Sequence, residues 1–316
     1  MMKRLGTALA AAVMAALTLA PSASAAAEFG SNCSSNTGAP ALTVVSLAHG
    51  GGSPLPVTAP ISGVITQWKS NTEIEAPPEV LPLLAPRMQL FRPTGAPNQF
   101  IQVGEATAST FVKGQNVYQS RVPVQAGDHL GIGGNFVSLF CSTGDPADVS
   151  GFKEGSVSSG QSVSVEPENE TQVPIAAVIE PDADADNYGD ETQDLCPQSA
   201  AYQSACPVVT IDASSFGSGR KAVTVYVTTS LAAPVSVNAV AKLGKGKKAT
   251  LKSAPRTVAP GELSKFKVAF PAKLRTKLKE LTPKQKLTLK ITASATNVTG
   301  APSTDQFKVK LKGQGT

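Results

Sequence analysis

Lys286-Leu287-Thr288-Leu289-Lys290-Ile291-Thr292-Ala293 alternates polar and apolar side chains. Successive residues of a β-strand point to opposite faces, so Leu287, Leu289 and Ile291 are expected to face a core and Lys286, Thr288 and Lys290 to face solvent. Similar short runs occur at 208–211, 222–228, 235–240, 249–252, 265–270 and 307–311. About seven short strands in about 110 residues is the size of an immunoglobulin-like sandwich. A Cys…Trp…Cys pattern is missing from this half, which speaks against the antibody type. The run 272–281 breaks the series with a helical pattern, because Leu274, Leu278 and Leu281 share one helix face.

Residues 28–180 continue the β reading toward the N-terminus. Runs at 41–47, 63–68, 87–91, 100–103, 117–124, 129–132, 136–141, 163–165 and 173–179 are short and bounded by Gly, Pro, Asn or Asp. Pro77, Pro78, Pro82 and Pro86 crowd 72–86, which is expected to be a surface loop. A two-sheet antiparallel sandwich of jelly-roll type closes this many strands. Composition agrees: 41% hydrophobic but 5% aromatic residues, with 24 Pro and 27 Gly in 316 residues, favour strands and turns over long buried helices.

The first 25 residues read as a signal peptide. Met1 to Arg4 give a basic start, an apolar Ala-rich run follows to Ala20, and Ala23-Ser24-Ala25 fits a small-x-small cleavage site. The apolar run is shorter than the roughly 20 residues that span a bilayer. The mature chain is therefore expected to be exported, without a transmembrane segment. Export permits disulfides, and all four Cys lie beyond the signal. Of three possible pairings, Cys33 with Cys141 and Cys196 with Cys206 is the simplest, since each bridge then stays inside one expected unit.

A net charge of +5 conceals two halves of opposite sign. Residues 26–206 hold 6 Lys+Arg against 19 Asp+Glu, a charge of −13, and residues 207–316 hold 20 against 4, a charge of +16. The reversal marks a boundary near 206. Just before it stand Asp182, Asp184 and Asp186, carboxylates at every second position that repel one another unless a cation joins them. Calcium takes six to eight oxygens, and a loop can supply them at alternating positions. Counting from Asp182, carboxylates occupy positions 1, 3, 5 and 9 (Asp190), and Tyr188 at 7 offers its backbone carbonyl. The EF-hand loop asks for Gly at 6 and Glu at 12. Here Asn187 holds 6, a residue that tolerates positive φ, and Gln193 holds 12. Either Gln193 or Asp194, one place later, completes the set.

With Gly189-Asp190 and then Asp194-x-Cys196-Pro197, the stretch resembles a thrombospondin type 3 repeat. The resemblance implies a calcium loop that uses Asp182, Asp184, Asp186, Asp190 and Asp194, to which the position count adds the Tyr188 carbonyl, followed by a Cys in a disulfide. It covers about 25 residues and departs from the family in being single, in Asn187 for Gly and in Thr192 where a first Cys is common. A single loop of this kind between β-domains, with a Lys-rich second domain, is also similar to secreted proteins of actinobacterial type.

Catalytic patterns are sparse. His49 and His129 are the two histidines, with neither H-E-x-x-H nor G-x-S-x-G present. His129 stands beside Asp128, but neighbours in a strand point to opposite faces. Trp68 ends an apolar run and reads as core rather than as a sugar platform. Lys242, Lys245, Lys247 and Lys248, and Lys273, Arg275, Lys277 and Lys279 on the helix, invite an anionic partner. Outside a cell that means envelope polymers or polysaccharide rather than nucleic acid.

The expectation is an all-β protein: signal peptide 1–25, jelly-roll-like sandwich 26–180, calcium loop with disulfide 181–206, and basic immunoglobulin-like sandwich 207–316. Its expected function is non-enzymatic, as a secreted or surface-associated calcium-binding protein in envelope binding or adhesion. A carbohydrate-binding module and a secreted hydrolase are the rival readings.

Overall fold

The computed structural model describes residues 25–52, 54–73, 86–133, 137–217, 221–243, 248–282, 284–298 and 303–312. Residues 1–24 of the expected signal peptide, most of the proline-rich segment 72–86, Phe136, and the hairpin lysines Lys245 and Lys247 lie outside the described residues. The described chain is β almost throughout, with one short helix, Ala272–Lys279. All pairings between its strands are antiparallel.

Residues 27–180 build a four-stranded and a seven-stranded sheet, with a small third sheet alongside. The four-stranded sheet runs in the order Ala27–Gly30, Ile175–Glu180, Gly63–Thr72, Gly114–Val124. Its inner residues Phe29, Ile65, Trp68, Tyr118 and Ile179 meet Val44, Met88, Leu90, Leu130 and Ile132 of the seven-stranded sheet in one buried cluster. Trp68 is fully buried against Tyr118, with ring centroids 4.2 Å apart. The seven-stranded sheet is also covered on its other face, where Val45, Phe91, Phe100, Val157, Val163 and Val165 form a second cluster. Burial on both faces explains why the strand Leu42–Ala48 reads as a continuous apolar run instead of alternating.

Residues 209–312 form a three-stranded sheet, Val209–Phe216, Ala222–Thr229 and Ser264–Ala269, and a five-stranded one. In the latter Lys248–Lys252, Ala233–Leu243, Lys286–Ala295 and Thr304–Lys312 lie side by side, and Arg256–Val258 also pairs with Ala233–Leu243. Their inner faces share one cluster that includes Val223, Val225, Val237, Leu287, Leu289 and Ile291. Leu274, Leu278 and Leu281 join it, so the helix is held by the face that its spacing marked. Both disulfides form as expected, Cys33–Cys141 and Cys196–Cys206. No helix among the described residues is long and apolar enough to cross a membrane.

Candidate metal centre

The acidic stretch begins where the strand Ile175–Glu180 stops at Pro181. It winds into a compact turn held by its own carboxylates. Asp182 accepts hydrogen bonds from the backbone N–H of Asp186 (3.0 Å) and of Asn187 (3.0 Å), and Asp186 accepts one from Tyr188 (2.9 Å). Asp190 closes the turn by accepting the N–H of Ala183 at 3.2 Å on both oxygens. Ala185 and Asn187 take left-handed backbone conformations, φ 60° and 67°. Asn187 tolerates this readily, as its place in the pattern led us to expect. Ala185 does not, and its conformation is a cost that the surrounding turn sustains.

Winding the chain this way gathers the alternating carboxylates. Ligand-capable oxygens of Asp182, Asp184 and Asp186 lie within 4.8 Å of one another, close enough to hold a metal ion. Both carboxylate oxygens of Asp184 are buried without a hydrogen-bond partner, as is Oδ2 of Asp194. Burial, and then repulsion from Asp186, Asp194 and Asp182, pushes the Asp184 carboxyl above the ordinary carboxylate range. Some relief comes from the Ser199 backbone amide, which is not placed well enough to make a hydrogen bond with good geometry. Asp190 and Asp194 are raised too, by burial first and then by the neighbouring aspartates, with partial offset from the amides of Ala183 and Cys196. An anion buried without a donor is costly. A hard cation would supply what these oxygens lack, and the all-oxygen donor set suits calcium or magnesium better than a thiolate- or imidazole-seeking metal.

Positions 12 and 13 are treated differently. The Gln193 amide donates from Nε2 to the carbonyl of Ser120 (2.8 Å), which ties it to the strand Gly114–Val124. Asp194 is 1% exposed, accepts the Cys196 N–H through Oδ1 (2.7 Å) and leaves Oδ2 without a hydrogen bond, but neither it nor Asp190 belongs to the group whose oxygens all lie within 4.8 Å of one another. The Tyr188 ring lies under the Arg121 guanidinium at 4.2 Å. Gln203 donates to Asp186 (2.8 Å) and so links the disulfide segment to the cluster.

Glu180, which the sequence reading passed over, fastens the loop to the sheet. This buried carboxylate accepts from the hydroxyls of Thr66 (2.9 Å) and Thr192 (2.7 Å) and from the N–H groups of Glu191 (2.9 Å) and Thr192 (2.8 Å). Burial alone would raise its pKa, but these hydrogen bonds outweigh it and hold the group below the ordinary range. Gly189 packs where any Cβ would collide with Thr66 and Glu180, so this glycine serves close approach. Past the loop, Cys196 is fully buried in the core of residues 196–298, and Tyr202 and Cys206 pack against it.

The histidines lie elsewhere and are held by backbone. The His129 Nδ1–H donates to the Ser46 carbonyl (2.7 Å), while Asp128 is gripped by Arg92 through two bonds of 2.8 and 2.9 Å. His49 Nδ1 meets the Leu55 carbonyl at 3.3 Å, so its Nε2 accepts from the buried Ser46 hydroxyl at 3.0 Å. Burial lowers the pKa of both imidazoles.

No family model matches this chain, and no curated protein does. Among solved structures, a Bacteroides uniformis β-glucuronidase aligns over 87% of this chain and 26% of its own, with 11% identity and a TM-score of 0.22. Bacteroides uniformis β-glucuronidase 2 aligns over 91% and 32%, with 10% identity and a TM-score of 0.21. A Ruminococcus gnavus β-glucuronidase gives 90% and 45%, 10% and 0.17. The chain thus spans less than half the length of each, and likeness this slight carries nothing about activity.

Proposed function

We propose that this is an exported, non-enzymatic calcium-binding protein of the cell envelope, in which a thrombospondin type 3-like loop joins two β-units. The supporting observation is the Asp184 carboxylate, buried without a hydrogen bond among like charges. In this reading Asp182, Asp184, Asp186, Asp190 and Asp194 supply carboxylate oxygens and Tyr188 its backbone carbonyl. Calcium neutralises the cluster and stiffens the link between the units. The function is binding or adhesion, with the basic half directed at anionic envelope material. Affinity falls roughly in the 10⁻⁴–10⁻³ M range of extracellular calcium modules.

Asp184→Asn tests this reading because its effect changes sign with the metal. In chelator the substitution removes repulsion, and the variant is expected to melt at or above the wild-type temperature. In calcium the wild type gains stability, by about 2.7 kcal/mol at 100 times Kd, while the variant gains little. A wild-type melting temperature indifferent to millimolar calcium and to chelator would sink the proposal.

A further inference from the structure

The register of the five-stranded sheet carries a second surface. Lys290 stands directly opposite Lys308 across the pair Lys286–Ala295 and Thr304–Lys312. Lys242 stands opposite Lys248 across Ala233–Leu243 and Lys248–Lys252. Lys252 and Lys310 continue the same outward rows, since Lys252 is opposite Asn238 and Lys310 opposite Thr288. The inward rows of these strands are Ala239, Ala241, Leu251, Leu287, Leu289 and Ile291, all buried, so the six lysines share the outer face, and all six are exposed. Like charges directly opposed across strands weaken a sheet, and here three such pairs sit on one face, the third being Lys286 opposite Lys312.

Among the described residues no acid forms an ion pair with the six lysines. Residues 207–316 contain four acids. Asp305 is opposite the buried Ala293 on the inner face and accepts the Ile211 N–H. Asp212 accepts the Thr228 hydroxyl at the other sheet, Glu262 lies in a turn, and Glu280 ends the helix. The ion pairs among the described residues, Lys69–Glu28, Arg87–Glu105 and Arg92–Asp128, all lie in the acidic half. Between the lysines stand the neutral polar groups Thr250, Thr288, Thr292 and Asn238, with the half-buried Val240 among them. Alternate residues on one strand face are about 6.7 Å apart and neighbouring strands about 4.8 Å, so the lysines are spaced at regular intervals over the face.

We propose that this lysine face binds a linear acidic polysaccharide. The envelope setting proposed above supplies the partner, while the metal loop takes no part in the contact. Charge complementarity calls for a polyanion, and regularly spaced lysines suit an extended chain with regularly repeated carboxylates or sulfates. The interleaved hydroxyls and amide can hydrogen-bond sugar hydroxyls, which a bare phosphate chain lacks. A lipid surface is disfavoured because the outward rows around the lysines carry no aromatic side chain, and their one aliphatic group, Val240, is half-buried and too small to enter the interface.

The test is titration of the intact protein with polygalacturonate in chelator, which keeps calcium out of the readout. Lys290→Glu with Lys308→Glu is expected to weaken binding by at least about tenfold at low ionic strength, and added salt to weaken wild-type binding, as for any screened contact. The control is Lys265→Glu with Lys267→Glu, which makes the same charge change on the opposite sheet and is expected to leave binding within about threefold. Lys290→Gln with Lys308→Gln repeats the experiment without new acids and is expected to fall between. Equal losses in both Glu pairs, or none in the sheet pair, would overturn the proposal. So would equal or tighter binding of charge-matched polyphosphate or of phosphatidylglycerol vesicles. Failure here leaves the calcium response untouched, and a missing calcium response leaves this titration intact.

Discussion

Glu180 accepts from four donors with two oxygens. Replacing it with Leu removes both acceptors and takes this partner from the buried Thr66 hydroxyl, at a cost of about 1–3 kcal/mol. Glu180→Leu should lower the unfolding free energy by at least that amount in calcium and in chelator alike, because these hydrogen bonds need no ion. The histidines make a second prediction at this scale. Burial depresses both folded pKa values below 6.5, so the unfolded chain takes up these protons first as pH falls. The stability they contribute is complete above about 6.5 and is lost as pH drops through the depressed folded values. In NMR titration of the native protein, both imidazoles should titrate below 6.5; either one at or above that value would contradict the burial described. Glu180 was not legible in the sequence because it is one of 19 acids in its half, with a partner hydroxyl at Thr66, 114 positions away. Asp194 over Gln193 was undecidable for a similar reason, since the carbonyl that draws Gln193 aside belongs to Ser120.

Among the elements, those that satisfy themselves locally were the readable ones. Alternation located the strand Lys286–Ala295, and leucine spacing located the helix. The positive φ of Asn187 followed from its place in the loop. Short strands such as Arg256–Val258 and Glu166–Asn169 escaped, because they exist through pairing with distant neighbours and show no period of their own. The left-handed Ala185 escaped because nothing in its chemistry asks for that backbone. The disulfides give a prediction here. Cys33–Cys141 spans 108 positions and Cys196–Cys206 spans 10. In the chain-entropy model these loops are worth about 4.8 and about 2.7 kcal/mol. Cys33→Ser with Cys141→Ser should therefore cost about 2 kcal/mol more in denaturant unfolding than Cys196→Ser with Cys206→Ser. A smaller cost for the longer bridge would mean that the unfolded chain is already compact.

For the molecule as a whole, the all-β character was plain from composition and periodicity, and the charge reversal near 206 was visible by counting. The lysine face was not, because it depends on which strands become neighbours. Buried apolar residues divide into clusters with no member in common, 29–179 on one side and 196–298 on the other. Calorimetry in chelator should accordingly resolve two transitions, drawn together by calcium. A single transition whose calorimetric and van't Hoff enthalpies agree would mean that the two cores unfold as one.

The stitching around the acidic loop also fixes how the chain would carry tension. A pull from the C-terminal end need not travel through residues 181–191, because Glu180 clasps Thr192 directly. Nor need it travel through 197–205, because the Cys196–Cys206 bridge bypasses them. Between these two shortcuts the load runs along residues 193–195 and draws Asp194 away from Asp182, Asp184 and Asp186. An ion shared among those four would be a rivet set across the line of force, so its loss would lower the rupture force more than the melting temperature.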